Sequence, residues 1–272
     1  MIAWCNGRIM SSDEPALSVT DHGVTVGDGV FETLKLVDRV PFALTRHLDR
    51  LSRSAAGLGL PGPDHAVIRE GIAELLDAAS ELGPLGVLRV TYTSGPGPLG
   101  SDRGPGPQTL AITVTPGKAW PDTTSVVVSP WPRNERSALA GLKSTSYAEN
   151  AIALAWAKER GYSEAVMANL TGDLCEGTGS NIFVVIDDEI STPPLTSGCL
   201  AGVTRDLVIE WCGAQERDLP LDILERADEI FLTSSTRDVH PVTRVDDRSL
   251  EVGHETIGAK EIFRERSRDI DP

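Results

Sequence analysis

Hydrophobic and polar residues alternate along several short stretches of this chain, with the period of two that is typical of β-strands. Within the first 120 residues the alternation predicts strands at 30–38, 87–94 and 109–116. Other apolar residues recur at the spacing of one helix face, namely Leu44, Leu48, Leu51, Ala55 and Leu58. The pattern therefore predicts a helix over 43–58, and a second helix is predicted over 66–80.

The rest of the chain shows the same mixture of periods. It predicts, in order, a strand at 123–130, a helix from Tyr147 to Arg160 closed by Gly161, strands at 163–169 and 181–187, a helix at 204–212 and a strand at 229–234. Strands and helices on both sides of a Pro/Gly-rich stretch indicate two domains of α/β (α+β) fold. We expect a smaller N-terminal α/β domain at 1–115, a linker at 116–122 and a larger C-terminal domain at 123–272.

Composition then narrows the class of protein. The net charge is -15, which argues against binding to nucleic acid or to an anionic membrane surface. No stretch approaches the roughly 18 apolar residues of a membrane span, and the first residues lack a signal-peptide pattern. The four cysteines form no CxxC pair and have no metal-ligand spacing. The sequence predicts a reduced, cytoplasmic enzyme or binding protein without a metal site.

Two charged residues stand where their surroundings do not favour a charge. Lys143 follows Gly-Leu just before the helix predicted at 147–160, and a solvated surface lysine is the common reason for such a residue. Glu176 precedes a glycine-rich turn that enters an apolar strand, and a carboxylate entering a buried strand needs a cationic partner. A salt bridge or a turn carboxylate explains Glu176 without any catalytic role.

Three further features could hold an anion. Thr204 follows a glycine turn at a helix start, where free N–H groups and a hydroxyl suit a phosphate, although plain helix capping also explains it. The run TSST at 233–236 ends an apolar strand, and it is either an anion-binding turn or an ordinary loop. Arg46, Arg50 and Arg53 share one helix face, which forms a solvated basic stripe unless Arg50 reaches a phosphate.

These features are weak singly but complementary in kind. Pyridoxal phosphate needs an amine that forms an imine, an acidic partner at its ring nitrogen and a cradle for its phosphate. The lysine, the glutamate, the two turns and the arginine supply those parts. The set therefore points to a pyridoxal-phosphate enzyme or, on the same scaffold, to a non-catalytic vitamin B6-binding protein.

Six motifs in the chain resemble, in order, those of the class IV (fold-type IV) pyridoxal-phosphate aminotransferases. They are GDGVFETLK (27–35), RHLDRL (46–51), GLKSTSYAEN (141–150), EGTGSNIF (176–183), GVTRD (202–206) and TSSTRDVHPV (233–242). The family includes branched-chain aminotransferases, D-amino-acid aminotransferases, R-selective amine transaminases and aminodeoxychorismate lyases. The resemblance implies a homodimer that binds pyridoxal phosphate, with an amino donor and a keto acid acceptor as its small-molecule substrates.

The same resemblance implies roles for individual residues. Lys143 would bind the cofactor as a Schiff base, and Glu176 would contact the pyridine nitrogen. The residues implied around the phosphate are Arg50, Val203, Thr204, Ser234 and Ser235. Those implied beside the cofactor ring are Ser180, Asn181 and Tyr147, of which the tyrosine reaches the ring hydroxyl. Those implied on the substrate side are Phe31 and Thr33.

The chain departs from each subgroup in some detail. Thr33 resembles a threonine of the lyases, but the His-Leu-Asn-Arg pattern that they carry after the lysine is absent. The Arg-x-His pair of D-amino-acid aminotransferases is absent from the loop 94–107. Arg89, with Tyr92 near it, is the candidate that grips a substrate carboxylate instead, and a structural salt bridge explains Arg89 equally well.

We therefore predict a transaminase that moves an amino group between a small amino acid or amine and a 2-keto acid. D-amino acids or R-amines are the favoured donors. The alternatives are an aminodeoxychorismate lyase, which releases pyruvate and 4-aminobenzoate, and a branched-chain aminotransferase.

Overall fold

A computed structural model describes residues 2–11, 13–80 and 82–272. The chain divides into two compact units. The first runs up to Ala119 and also contains Leu142–Tyr147 and Ile270–Pro272. The second contains Trp120–Gly141 and Ala148–Asp269. The chain thus leaves the first unit and returns to it for the short stretch around Lys143, which lies outside the predicted range 1–115.

The elements of the first unit are β1 Ile2–Cys5, β2 Arg8–Ser11, α1 His22–Thr25, β3 Gly29–Val37, β4 Val40–Pro41, α2 Leu44–Gly57, α3 His65–Ala78, β5 Leu85–Thr93 and β6 Thr109–Pro116. The strands form one antiparallel sheet in the order β2-β1-β6-β5-β3-β4. Alternation along β3 and β5 sends every second side chain into a core shared with the apolar stripe of α2, as Leu34, Leu48 and Leu88 illustrate.

The elements of the second unit are β7 Thr124–Val128, α4 Ala148–Glu159, β8 Glu164–Ala168, β9 Leu174–Gly177, β10 Asn181–Ile186, β11 Glu189–Thr192, α5 Val203–Cys212, β12 Gln215–Glu216, α6 Ile223–Arg226, β13 Glu229–Ser234, β14 Asp238–Val245, β15 Arg248–Ser249 and α7 His254–Arg266. The sheet order is β12-β11-β10-β13-β14-β7-β8-β9, and β15 pairs with β14.

The register of this second sheet brings several strand ends to one edge. Ser234, at the end of β13, pairs with Asp238 at the start of β14. Glu164 begins β8, which runs parallel to β7 and antiparallel to β9. Asn181 begins β10 opposite Thr233 of β13. The start of β8, the turn between β9 and β10 and the turn between β13 and β14 therefore lie at the same end of the sheet.

The mixed α/β fold predicted from the sequence is confirmed. Each predicted helix and strand is present and differs only at its ends. Several elements were not predicted, among them β1, β2, β9 and α7. The first three are four-residue strands, too short for a clear period, and α7 buries only Thr256, Ala259 and Phe263. Across the described residues, no helix has both the length and the apolar character needed to cross a bilayer.

Candidate functional site

Lys143 lies in an extended segment that runs beside residues 29–31 at the start of β3, on the side opposite β5. The Phe31 N–H donates to the Lys143 carbonyl at 2.9 Å, and the Thr145 N–H donates to the Gly29 carbonyl at 2.8 Å. This is the pattern of an antiparallel pair. The lysine is therefore held by the backbone of the first unit before its side chain makes any contact.

Helix α2 fixes the same segment from a second direction. The Lys143 N–H donates to Ser54 Oγ at 3.1 Å. Gly57, on α2, faces Leu142 so closely that an added Cβ would lie 2.5 Å from a leucine methyl carbon. The absence of a side chain at Gly57 therefore leaves room for Leu142 against the helix.

The Lys143 side chain is half-buried and lies over an aromatic ring. Its Nζ is 4.5 Å from the centroid of Phe31, and the guanidinium carbon of Arg89 is 3.8 Å from the same centroid. Tyr147 meets Phe31 edge-on, with 5.4 Å between ring centroids. Thr33 is the cross-strand neighbour of Arg89. The first unit therefore brings together Lys143, Tyr147, Phe31, Thr33 and Arg89.

Arg89 has no structural salt bridge. Its Nε donates weakly to Thr91 Oγ1 at 3.3 Å, and no carboxylate pairs with it anywhere in the described part of the chain. Partial desolvation lowers the pKa of the Arg89 guanidinium, which still stays positive at neutral pH. The explanation of Arg89 as half of a structural ion pair is therefore wrong, and its charge is available for an anion.

Tyr92 lies elsewhere. It pairs with Val30, whereas Arg89 pairs with Thr33, and residues three apart on a strand point to opposite faces. The Tyr92 ring is 7% exposed and belongs to the hydrophobic core of the first unit. The prediction that Tyr92 lies near Arg89 is therefore wrong, and Tyr92 packs beneath the sheet instead.

Arg50 is buried, so the basic stripe on α2 is not uniformly solvated. Its Nε and Nη2 donate to the two oxygens of Glu32 at 2.7 and 2.6 Å, and His47 Nδ1 donates to Glu32 at 2.7 Å. Burial alone would raise the pKa of Glu32, but Arg50 and His47 outweigh it and lower that pKa. Burial lowers the pKa of His47. Arg46 is half-buried and Arg53 is exposed.

Glu176 occupies the end of β9 in the second unit and is 9% exposed. Arg133 Nε lies 3.3 Å from Glu176 Oε1, so the predicted cationic partner is present. The Leu200 N–H donates to Glu176 Oε2 at 3.0 Å, and the Leu200 carbonyl accepts from Asn181 Nδ2 at 2.8 Å. The backbone of Leu200 thus orients both predicted site residues, Glu176 and Asn181.

Thr204 lies inside helix α5 and does not cap it. The helix begins at Val203 after Gly202, which has no side chain to cap it. The plain-capping explanation is therefore wrong. A Cβ at Gly202 would lie 2.0 Å from Asn181 Oδ1, so only glycine lets this helix start approach β10. The first N–H groups of α5 have no partner within the helix.

Ser234 is the last residue of β13, and Ser235 lies in the turn between β13 and β14. The Arg237 N–H donates to the Ser234 carbonyl at 3.1 Å and closes the turn. Both serines are partly exposed. Thr233, directly before them, is 1% exposed, and its Oγ1 has no hydrogen-bond partner among the described residues.

The donor set of the second unit fits pyridoxal phosphate. Ser180 Oγ is buried and, among the described residues, has no hydrogen-bond partner, although buried polar groups are normally paired. The first turn of α5 and the serine turn offer N–H and hydroxyl donors to a phosphate. Glu176 offers a carboxylate to a cationic ring nitrogen. The first unit offers the amine of Lys143.

Sequence reasoning missed several polar residues that support these groups. These residues are buried or half-buried and pair with charged side chains; they are Glu32, Arg133, Glu164 and Arg237. A signal existed for two of them, because Glu164 opens an apolar strand and Arg237 directly follows TSST. Their partners are distant in sequence, so only the structure pairs them.

The chain is similar in sequence and in fold to known proteins of one family. A model of the family described as amino-transferase class IV matches residues 29–245. The chain is 31% identical to the D-alanine aminotransferase of Bacillus licheniformis, covering 91% of this chain and 89% of that protein. It superposes on the branched-chain aminotransferase of Thermoproteus uzoniensis with a TM-score of 0.91 at 28% identity, covering 97% and 94% of the two chains. It matches the fold IV transaminase CpuTA1 of Curtobacterium pusillum with a TM-score of 0.83 at 32% identity, covering 94% and 91%.

Proposed function

Because the chain belongs to the class IV aminotransferases, which depend on pyridoxal phosphate, we propose that its substrates are small amino acids or amines and 2-keto acids. It transfers an amino group between a small amino acid or amine and a 2-keto acid, with D-amino acids or R-amines favoured as donors. The observation that carries the proposal is that Arg89 and Lys143 both lie over the ring of Phe31. Arg89 has no carboxylate partner and shares this ring with Lys143, so a substrate carboxylate at Arg89 lies near the reactive amine.

The residues that hold the cofactor follow from the resemblance and from the contacts above. Lys143 forms the covalent link, and Glu176 contacts the pyridine nitrogen. The phosphate contacts are Arg50, Val203, Thr204, Ser234 and Ser235, and the ring contacts are Ser180, Asn181 and Tyr147. Arg50 has a second task in this proposal, because its guanidinium also neutralises buried Glu32.

The bound cofactor supplies an electron sink for the charge that develops at the substrate's α-carbon. Lys143, as the neutral amine, takes the α-proton and later returns a proton, which is general acid–base catalysis. Glu176 holds a proton at the pyridine nitrogen, and Arg133 and the Leu200 N–H keep its carboxylate in place. Arg89 orients the substrate through its carboxylate, an effect of positioning.

A lyase acting on aminodeoxychorismate is the second candidate. Thr33, the residue that resembles a lyase threonine, is the cross-strand neighbour of Arg89, so both face the same substrate. The likeness to the branched-chain enzyme of Thermoproteus uzoniensis makes L-branched-chain amino acids a third donor class for the same test.

The experiment is a half-reaction on purified holoprotein without a keto acid. D-alanine, D-glutamate, L-leucine, L-glutamate and an R-amine are added singly, aminodeoxychorismate is run in parallel, and the absorbance of the cofactor is followed. We expect conversion to the pyridoxamine form by the D-amino acids or the R-amine, and none in Lys143→Ala. No conversion by any amine, together with pyruvate release from aminodeoxychorismate, would make the protein the lyase.

A second variant tests the carboxylate site. Arg89→Met should raise KM for a D-amino acid by about 10- to 100-fold, because a charge-assisted hydrogen bond is lost. KM for an R-amine, which has no carboxylate, should change much less. Arg53→Met, at an exposed position, is the matched control. Equal KM values for wild type and Arg89→Met would remove Arg89 from the proposal.

We also propose that the protein is a homodimer. Val19, Val24 and Leu99 are 86%, 62% and 83% exposed, and hydrogen bonds between 20–22 and 97–98 bring their segments together. Apolar side chains grouped on a surface are typical of contact sites. Sedimentation equilibrium should give about twice the chain mass of 29.1 kDa, and the mass of one chain would refute the dimer.

A further inference from the structure

A buried ion pair lies at the end of the second sheet where β8 begins and β13 ends. Glu164 is 1% exposed, and the Arg237 side chain, in the turn between β13 and β14, is 8% exposed. Arg237 Nη2 donates to Glu164 Oε2. The same guanidinium stacks on Trp120, with 4.1 Å from its carbon to the ring centroid. Burial lowers the pKa of Arg237, and the Glu164 carboxylate opposes that shift.

The other oxygen of Glu164 binds the turn that joins β9 to β10. Thr178 Oγ1 donates to Glu164 Oε1 at 2.6 Å, and the Gly179 N–H donates to the same oxygen at 2.7 Å. This turn lies between Glu176 and Asn181. One carboxylate therefore holds two turns that are far apart in sequence, one through each of its oxygens.

Stability alone is a poor explanation for these buried charges. Desolvation costs several kcal/mol per ion, and apolar side chains of similar volume often serve as well. In addition, three buried atoms on or beside the two turns, Ser180 Oγ, Thr233 Oγ1 and Arg237 Nη1, have no hydrogen-bond partner in the described part of the chain. Buried polar groups are normally paired, so a ligand that contacts both turns would supply missing partners.

We propose that Glu164 and Arg237 are positioning residues for the cofactor. They hold the turns at 177–180 and 234–237 in one arrangement, so that both turns contact the cofactor together. The inference rests on the proposed function, which assigns Ser180, Ser234 and Ser235 to the cofactor. Without the ion pair, each turn would have to be ordered separately on binding, and that ordering reduces affinity.

The test titrates purified apoprotein with pyridoxal phosphate and compares wild type with Glu164→Gln, Arg237→Met and the double variant. Glutamine keeps an oxygen for Thr178 but removes the charge that Arg237 requires. We expect the dissociation constant to rise by about 10- to 100-fold in each single variant, as for other groups that orient binding residues. The double variant should lose little more, because residues that act as one unit are not additive. Arg237→Lys should recover part of the affinity.

The matched control is Arg244→Met, because Arg244 also stacks on an aromatic ring, Tyr162, at 4.0 Å but lies near the other end of β14. It should leave the dissociation constant unchanged. A lower melting temperature of the apoprotein with unchanged cofactor affinity would mean a purely structural role and would overturn the inference, as would additive losses in the double variant. If Arg237→Met does not fold, unchanged affinity in Glu164→Gln would also overturn it. Failure of wild type to bind the cofactor would instead defeat the proposed function itself.

Discussion

Replacing Arg50 by methionine should strongly destabilise the protein even in the absence of cofactor. Glu32 is fully buried, and both of its oxygens accept from Arg50. Methionine keeps most of the apolar stem but leaves the Glu32 carboxylate without its counter-ion. Removing one partner of a buried ion pair costs about 3–5 kcal/mol. For a chain of this size, that corresponds to a melting temperature lower by roughly 6–20 °C.

The assay is thermal unfolding of apoprotein, so that the proposed phosphate contact of Arg50 does not contribute. Adding Glu32→Gln to Arg50→Met should recover about 2 kcal/mol or more, because the stranded charge is gone while His47 keeps an acceptor. Arg53→Met, on the exposed side of the same helix, should stay within about 0.5 kcal/mol of wild type. Equal melting temperatures for Arg50→Met and Arg53→Met, or no recovery in the double variant, would refute this reasoning.

Two further predictions concern catalysis and pH. Glu176→Gln should slow the half-reaction by about 100-fold or more while changing cofactor affinity less, because a neutral amide cannot hold the proton at the ring nitrogen. Stopped-flow absorbance measures the rate, and a binding titration measures the affinity. Equal losses in both would contradict the assignment. Apoprotein stability should fall as the pH drops below about 6.5, because the pKa values of His47 and then Glu32 are lower in the folded state, so the unfolded chain binds more protons. Melting temperatures between pH 7 and 4 measure this, and His47→Gln should flatten the upper part of the curve; an unchanged slope would exclude His47 as the cause.

Local patterns were sufficient to predict most of the fold. The strands β3 and β5 and the helix α2 follow from periods of two and 3.6, because each buries one face against the other. The turn at 234–237 follows from hydroxylic residues at the end of an apolar strand. Such elements depend on neighbours in sequence, so a single chain without relatives is enough to find them.

The arrangement of charges could not be predicted in the same way. Tertiary contacts join three ion pairs, namely Glu32 with Arg50, Glu176 with Arg133 and Glu164 with Arg237. Pairings of this kind follow from topology rather than from local propensity.

The return of residues 142–147 to the first unit has a consequence for synthesis of the chain. The segment covers the edge of β3 beside Gly29 and Phe31, and it is translated only after the whole stretch that follows Ala119. At about 5–20 residues per second, the ribosome needs roughly 1–6 s for that stretch. During this interval the nascent chain carries an uncovered strand edge, which is a site for mispairing with other chains. Slow decoding or pausing between residues 119 and 147 would prolong that exposure, so the yield of folded protein should depend on the speed of translation there more than in the rest of the message.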